Sequence, residues 1–205
     1  MHALIIVDVQ KDFLPGGALG VNEGDKILPV IQQLMQQKFD VIVATKDWHP
    51  KDHGSFAVSH GKKIGDRIDL FGLEQILWPV HCVQGTNGAE FAPGLDVNKF
   101  EHVFHKGTDK NIDSYSTFFD NGHFKSTGLE TYLHKKGIQD LYIAGLTTEY
   151  CVKYSVLDAR SLGFNVYVIE NACKPVDLKE GDGARALEEM RAAGAHIISL
   201  NAVKL

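Results

Sequence analysis

The chain has 205 residues, 44% hydrophobic and 23% charged, with a formal net charge of −5. That length suits one domain with a sizeable core, and the mildly acidic balance argues against nucleic acid or an anionic membrane as the main partner. Three widely spaced cysteines (Cys82, Cys151, Cys173) do not form a disulfide framework, which points to a reducing, cytoplasmic compartment.

The N-terminus has no basic leader, and its apolar run is broken by Asp8, so it reads as neither a signal peptide nor a membrane span. Ala3 to Val9 is nearly continuous apolar sequence, as expected of a strand buried on both faces in a parallel sheet. A Pro15-Gly16-Gly17 turn follows. Asp25 is placed to cap a helix through about Gln37, with Ile27, Ile31 and Leu34 on one face. Phe39 to Ala44 is a second buried strand. From Asp47 to about Phe100, glycine, proline and histidine recur and no regular element stands out. So long an irregular stretch in a compact domain usually carries function.

Phe100 to His105 alternates and reads as a third strand. Thr127-Gly128-Leu129-Glu130 matches a capping box opening a helix to about Lys136, ended by Gly137. Leu141 to Ala144 is the next strand. Cys151 to Leu162 is the next helix, stopped by Gly163. A strand at Asn165 to Ile169, a helix at Gly183 to Ala193 and a strand at His196 to Leu200 complete the chain. This alternation predicts an α/β fold, a three-layer α/β/α sandwich around a mostly parallel sheet, as one domain over residues 1–205.

Ligands of open α/β sheets sit beyond the carboxyl ends of the strands. Three reactive side chains fall at such ends. Asp8 closes the first strand, Lys106 follows the third, and Cys151 lies past the turn after the fourth. A thiol at a helix N-terminus is favoured as thiolate, although a lone buried cysteine is as often structural. Lys106 would stabilise both anions, and Asp8 could take the thiol proton and return it to a leaving group. A second group is Asp47-Trp48-His49-Pro50-Lys51-Asp52-His53. Asp47 and His49, two apart on extended chain, point to one side and can reach one cation. His81 in Trp78-Pro79-Val80-His81-Cys82 is a distal ligand candidate, with His53 and His60 as spares. Such a carboxylate–imidazole set suits zinc, manganese or iron(II). Cys82 reads as a small buried residue.

Five ordered motifs carry a resemblance to a known family. They are Ile5-Ile6-Val7-Asp8-Val9-Gln10 with Asp12-Phe13; Asp47-Trp48-His49-Pro50 with His53 and Ser55-Phe56; Trp78-Pro79-Val80-His81-Cys82-Val83-Gln84-Gly85; Lys106-Gly107 with Asp113-Ser114-Tyr115-Ser116; and Gly145-Leu146-Thr147-Thr148-Glu149-Tyr150-Cys151-Val152. Together they resemble the nicotinamidase branch of the isochorismatase-like cysteine hydrolases, over nearly the whole chain. The resemblance implies a catalytic triad of Asp8, Lys106 and Cys151, and metal ligands Asp47, His49 and His81, with zinc foremost. It implies an oxyanion hole from the backbone N–H groups of Thr147 and Cys151, and a cis Leu146–Thr147 peptide. Phe13 and Trp78 would wall the substrate ring. The implied reaction is hydrolysis of nicotinamide, and of pyrazinamide as a relative, through a thioester. Another small-amide hydrolase, or a non-catalytic binding protein on the same fold, are the alternatives. His53 is held back as a neighbour of the metal, homo-oligomerisation stays open, and Tyr150 is a position that varies among relatives.

Overall fold

The computed structural model describes residues 1–205. The first strand, β1 (His2–Val7), lies at the centre of a six-stranded sheet. Around it come α1 (Leu28–Leu34), β2 (Val41–Asp47), a hairpin of β3 (Arg67–Leu70) and β4 (Leu73–Ile76), and β5 (His102–Lys106). The second half contains α2 (Leu129–Lys135), β6 (Asp140–Leu146), α3 (Lys153–Ser161), β7 (Asn165–Lys174), α4 (Asp182–Ala192) and β8 (His196–Ile198). The sheet order is β5-β2-β1-β6-β7-β8, and every neighbouring pair is parallel.

Alternation along β1 divides the core. Ala3, Ile5 and Val7 pack with Leu133 of α2, Val156 of α3 and Met190 of α4 on one face. Leu4 and Ile6 pack with Ile31 and Leu34 of α1 on the other. Both faces of the central strands are therefore covered, which is why their sequence is apolar without a break. The order of connection reverses between β1 and β6: the chain proceeds outward through β2 to β5 on one side and through β7 to β8 on the other. Such a reversal opens a crevice at the carboxyl ends of the two central strands.

Several expected boundaries move, each for a local reason. The helix expected from Asp25 starts as a 3-10 turn, Gly24–Ile27, and becomes α-helical only at Leu28, beside Pro29, so Asp25 does not cap it. β2 runs past Ala44 to Asp47 because its polar end is satisfied across the sheet, in register with Phe104, His105 and Lys106. The capping box does not form. Gly128 is the cap, in the left-handed region, and Thr127 Oγ1 accepts from Leu129 N at 3.2 Å. β7 extends to Lys174, with a register shift against β6 between Ile143 and Gly145. At the other end Leu200 leaves the last strand for a 3-10 turn. The hairpin lies inside the stretch that showed no pattern in sequence. No helix is long and apolar enough to cross a membrane.

Candidate active site

Asp8, the first residue past β1, takes φ +47°, a left-handed conformation that short polar residues such as aspartate tolerate better than most. Its Oδ1 accepts from the hydroxyl of Thr45 on β2 at 2.6 Å, while the Asp8 N–H donates to Thr45 Oγ1 at 3.2 Å. Lys106 ends β5 and is paired in register with Asp47, so their side chains leave the ladder side by side. The Lys106 ammonium lies 2.8 Å from Asp8 Oδ2 and 2.7 Å from Asp47 Oδ1. It also donates to Cys151 Sγ at 3.3 Å and to the Ser114 carbonyl at 2.9 Å. Asp8, Lys106 and Cys151 are 0%, 2% and 5% exposed, so the charges of Asp8 and Lys106 act on each other and on the thiol with little screening by water.

Cys151 does not open an α-helix directly. Leu146–Thr147 is a cis peptide, and Thr148–Val152 forms a wide π-type turn before α3 begins at Lys153. π-type turns are often found at functional sites. Two groups fix this one. The Thr147 carbonyl accepts from Tyr150 and Val152 N–H, and Ser155 Oγ donates to the Cys151 carbonyl at 2.5 Å while accepting from Thr117 N. The strand before the turn depends on Gly145: at φ +134°, a Cβ there would lie 2.1 Å from the Val7 carbonyl oxygen of β1.

The electrostatics of the group follow from burial and three close charges. Burial drives the Cys151 thiol well above its usual range, the Asp8 and Asp47 carboxylates add to this, and Lys106 opposes them. Burial also raises Asp8, against the pull of Lys106. For Lys106, burial alone would favour the neutral amine, but Asp47 and Asp8 outweigh it and hold the ammonium firmly protonated. Asp47 goes the other way: burial is outweighed by Lys106 and His49, and its carboxyl sits well below the usual range. The thiol therefore rests protonated, and Asp8, which shares the Lys106 ammonium with it, is of raised basicity, which is the pairing general-base activation needs.

Asp47, His49 and His81 form a second group on the same side of the crevice. His49 Nδ1–H donates to the Gly107 carbonyl at 2.9 Å, and His81 Nδ1–H to the Pro79 carbonyl at 2.8 Å. Both rings thereby turn Nε2 toward Asp47 Oδ2, at 3.1 and 3.4 Å. Imidazoles that donate Nδ1–H to a carbonyl and direct Nε2 at a shared carboxylate are oriented as metal ligands are. The three donor atoms lie within 4.8 Å of one another, so the residues fit a divalent ion. Gly107 makes room: at φ +65°, a Cβ there would lie 2.4 Å from His49 Cε1. His53 and Asp113 form an overlapping set with His49, and His53 Nε2 is buried without a hydrogen-bond partner. His49 has one free nitrogen to give, so the two sets describe one centre with His53 and Asp113 beside it. His60 is exposed and bonds the Gly54 carbonyl, away from this centre.

A narrow cleft reaches from Cys151 to Asp47 and His81; Phe13, Leu19, Trp78, Tyr115, Thr147 and Tyr150 also line it. Phe13 stands edge-on to His81 at 5.6 Å. Trp78 Nε1 donates to Tyr115 OH at 3.1 Å. Phe13 and Trp78 both line the cleft, and Cys82 is buried.

Several supports were not foreseen. Gln10 is fully buried. Its Nε2 donates to the Asp47 and Ala89 carbonyls, and its Oε1 accepts from Asp47 N at 2.8 Å, which fixes the backbone of a candidate metal ligand. Asp12 Oδ2 accepts from Cys82 N at 2.8 Å and so holds the residue next to His81, which itself adopts φ +47°. Gln75 of β4 donates to Asp113 at 3.0 Å. The available signal was a polar residue following an apolar strand, which fits Gln10 and Asp12 but not Gln75.

The fold and the paired groups define a class: an α/β protein with a candidate cysteine-centred hydrolytic site beside a candidate metal-ligand set. The model of the isochorismatase domain matches residues 2–202. A nicotinamidase of Escherichia coli is 45% identical over 97% of this chain and 95% of its own length. The solved structure of a nicotinamidase/pyrazinamidase from Acinetobacter baumannii superposes with a TM-score of 0.93 at 43% identity, over 98% of this chain and 96% of that one. A pyrazinamidase of Pyrococcus horikoshii, solved in complex with zinc, superposes with a TM-score of 0.78 at 40% identity, over 97% and 98%. The chain belongs to the isochorismatase family, in its nicotinamidase/pyrazinamidase branch.

Proposed function

We propose that this protein is a nicotinamidase, an amidohydrolase that converts nicotinamide to nicotinate and ammonia in NAD salvage, with residues 1–205 acting as a single hydrolase domain. The observation that carries this is the convergence of Asp8, Asp47 and Cys151 on the Lys106 ammonium, beside a cleft that Cys151 lines together with Asp47 and His81.

Asp8 takes the Cys151 proton and the sulfur attacks the carboxamide carbon. The N–H groups of Thr147 and Cys151 hold the resulting oxyanion, where preorganised donors in a dry site are most effective. Lys106 compensates the negative charge that passes between sulfur, oxygen and Asp8. Asp8 gives its proton to the departing amine, so ammonia leaves and a thioester remains. Asp8 then removes a proton from water, which attacks the thioester and releases nicotinate. Asp47, His49 and His81 would hold one divalent ion, zinc foremost, with manganese and iron as further candidates. Such an ion would supply Lewis acidity toward the pyridine nitrogen. Phe13 and Trp78 flank the ring.

The test is ammonia release from nicotinamide by the metal-loaded wild type and by Cys151→Ala, with pyrazinamide and other small amides alongside. Wild type should turn over nicotinamide, and Cys151→Ala should lose on the order of a thousandfold or more. No release by wild type refutes the substrate, and full activity in Cys151→Ala refutes the mechanism.

A further inference from the structure

The reactive cleft has a neighbour. A wide groove runs over the surface past Arg67 and Leu178, and Tyr115 and Tyr150 line both it and the cleft. These two rings form the partition between the spaces, and they are not held alike. Tyr115 is pinned at both ends: its hydroxyl accepts from Trp78 Nε1 at 3.1 Å and Gln75 Nε2 at 3.3 Å, and its N–H donates to Asn121 Oδ1 at 2.9 Å. Tyr150 is held by ring contacts, edge-on to Trp78 at 4.9 Å and tilted against Tyr115 at 5.4 Å. It is only half-buried, and it precedes Cys151 directly.

We propose that Tyr150 is the specificity-determining residue of this site. Its ring closes the cleft toward the groove, so the site takes small, unsubstituted heteroaromatic carboxamides and turns away those with a ring substituent. The inference rests on the amidase reading above for its substrate class, but the partition itself is geometric. Behind Tyr150 there is open volume, so removing the ring joins the cleft to the groove without disturbing the anchored Tyr115. Tyr150 contributes ring contacts rather than a proton-transferring group, so its effect is on which amide fits. One methyl group in a pocket that excludes it alters kcat/KM by about ten- to two-hundredfold.

Two measurements test this on the metal-loaded full chain, with Tyr150→Ala, Tyr150→Leu and Tyr150→Phe. The first is kcat/KM for nicotinamide and for nicotinamides with one methyl at each free ring carbon, expressed as a ratio within each variant so that a general loss of activity cancels. Tyr150→Ala and Tyr150→Leu should raise the ratio for at least one methylated amide by about tenfold or more, and Tyr150→Phe should keep the wild-type ratios. The second is alkylation of Cys151, located by mass spectrometry, with iodoacetamide against the bulkier N-phenylmaleimide. The same two variants should speed the maleimide relative to iodoacetamide by about tenfold. Smaller changes in both measurements overturn the proposal. If wild type releases no ammonia from nicotinamide, the amidase reading fails, and the alkylation ratio alone still decides whether Tyr150 closes the cleft.

Discussion

Lys106 places one ammonium among two carboxylates, a thiol and a carbonyl in a buried site, and this crowding explains why the strand-end residues work as a unit. Removing an ammonium from such a cluster would leave two buried carboxylates facing each other, the costly arrangement for buried ions. His53 shows the opposite response to burial. Burial, helped by the charge on His49, pulls its imidazole down from 6.5 to about 4. The unfolded chain takes up this proton near pH 6.5, whereas the folded chain resists it down to about pH 4. His53 therefore leaves stability intact above pH 6.5 and removes it as the pH falls toward 4, by on the order of 3 kcal/mol. Urea unfolding of chelator-treated protein across that interval should show a smaller acid loss for His53→Asn than for wild type; equal losses would contradict it. At this scale Asp8 and Lys106 were legible as candidates in the sequence, because strand ends mark themselves by a charged residue after an apolar run. Their partners were not. Thr45 meets Asp8 across 37 positions and Gln10 meets Ala89 across 79, and no local pattern encodes such a pairing.

The parallel strands and their helices were readable because continuous apolar runs and helical spacing both report burial on the sheet. Their ends were less so: the polar tail of β2 and the π-type turn before α3 are set by tertiary partners rather than by propensity. The β3–β4 hairpin was invisible for a more specific reason. Its two turn residues, Phe71 and Gly72, both have positive φ, at +53° and +85°. That is the two-residue turn normally signalled by Asn-Gly, and here an exposed phenylalanine occupies the first position. Phe71→Asn should therefore raise the unfolding free energy by about 0.5–1 kcal/mol without altering turnover, as read from denaturant midpoints and steady-state rates. A lower midpoint would mean that the Phe71 ring contributes more than its backbone costs. The hairpin matters to the site because Gln75 on β4 bonds both Asp113 and Tyr115 on the cleft wall.

At the scale of the molecule, the two core clusters share the central strands, with alternate residues of β1 in each. Neither cluster can melt while the other keeps its side of the sheet. Calorimetry should record one cooperative transition for residues 1–205, and two resolved transitions would contradict a single domain. Zinc added to stripped protein should raise that transition, since an ion bound only by the folded form at one hundred times its Kd contributes about 2.7 kcal/mol. Asp47→Ala should abolish the increase; an equal increase in the variant would place the ion elsewhere.

Gly107 and Gly145 extend the reach of the site into its genetics. Neither offers a functional group, yet any coding change at Gly107 puts a carbon 2.4 Å from the ring of His49, and any at Gly145 puts one 2.1 Å from the backbone of β1, just before Asp8. Both also lie at positive φ, where every replacement residue is strained. Inactivating alleles should therefore accumulate at positions with no chemistry of their own. A selection for lost function would recover these glycines beside Cys151 and the candidate metal ligands, and sequencing only the residues with functional groups would miss them.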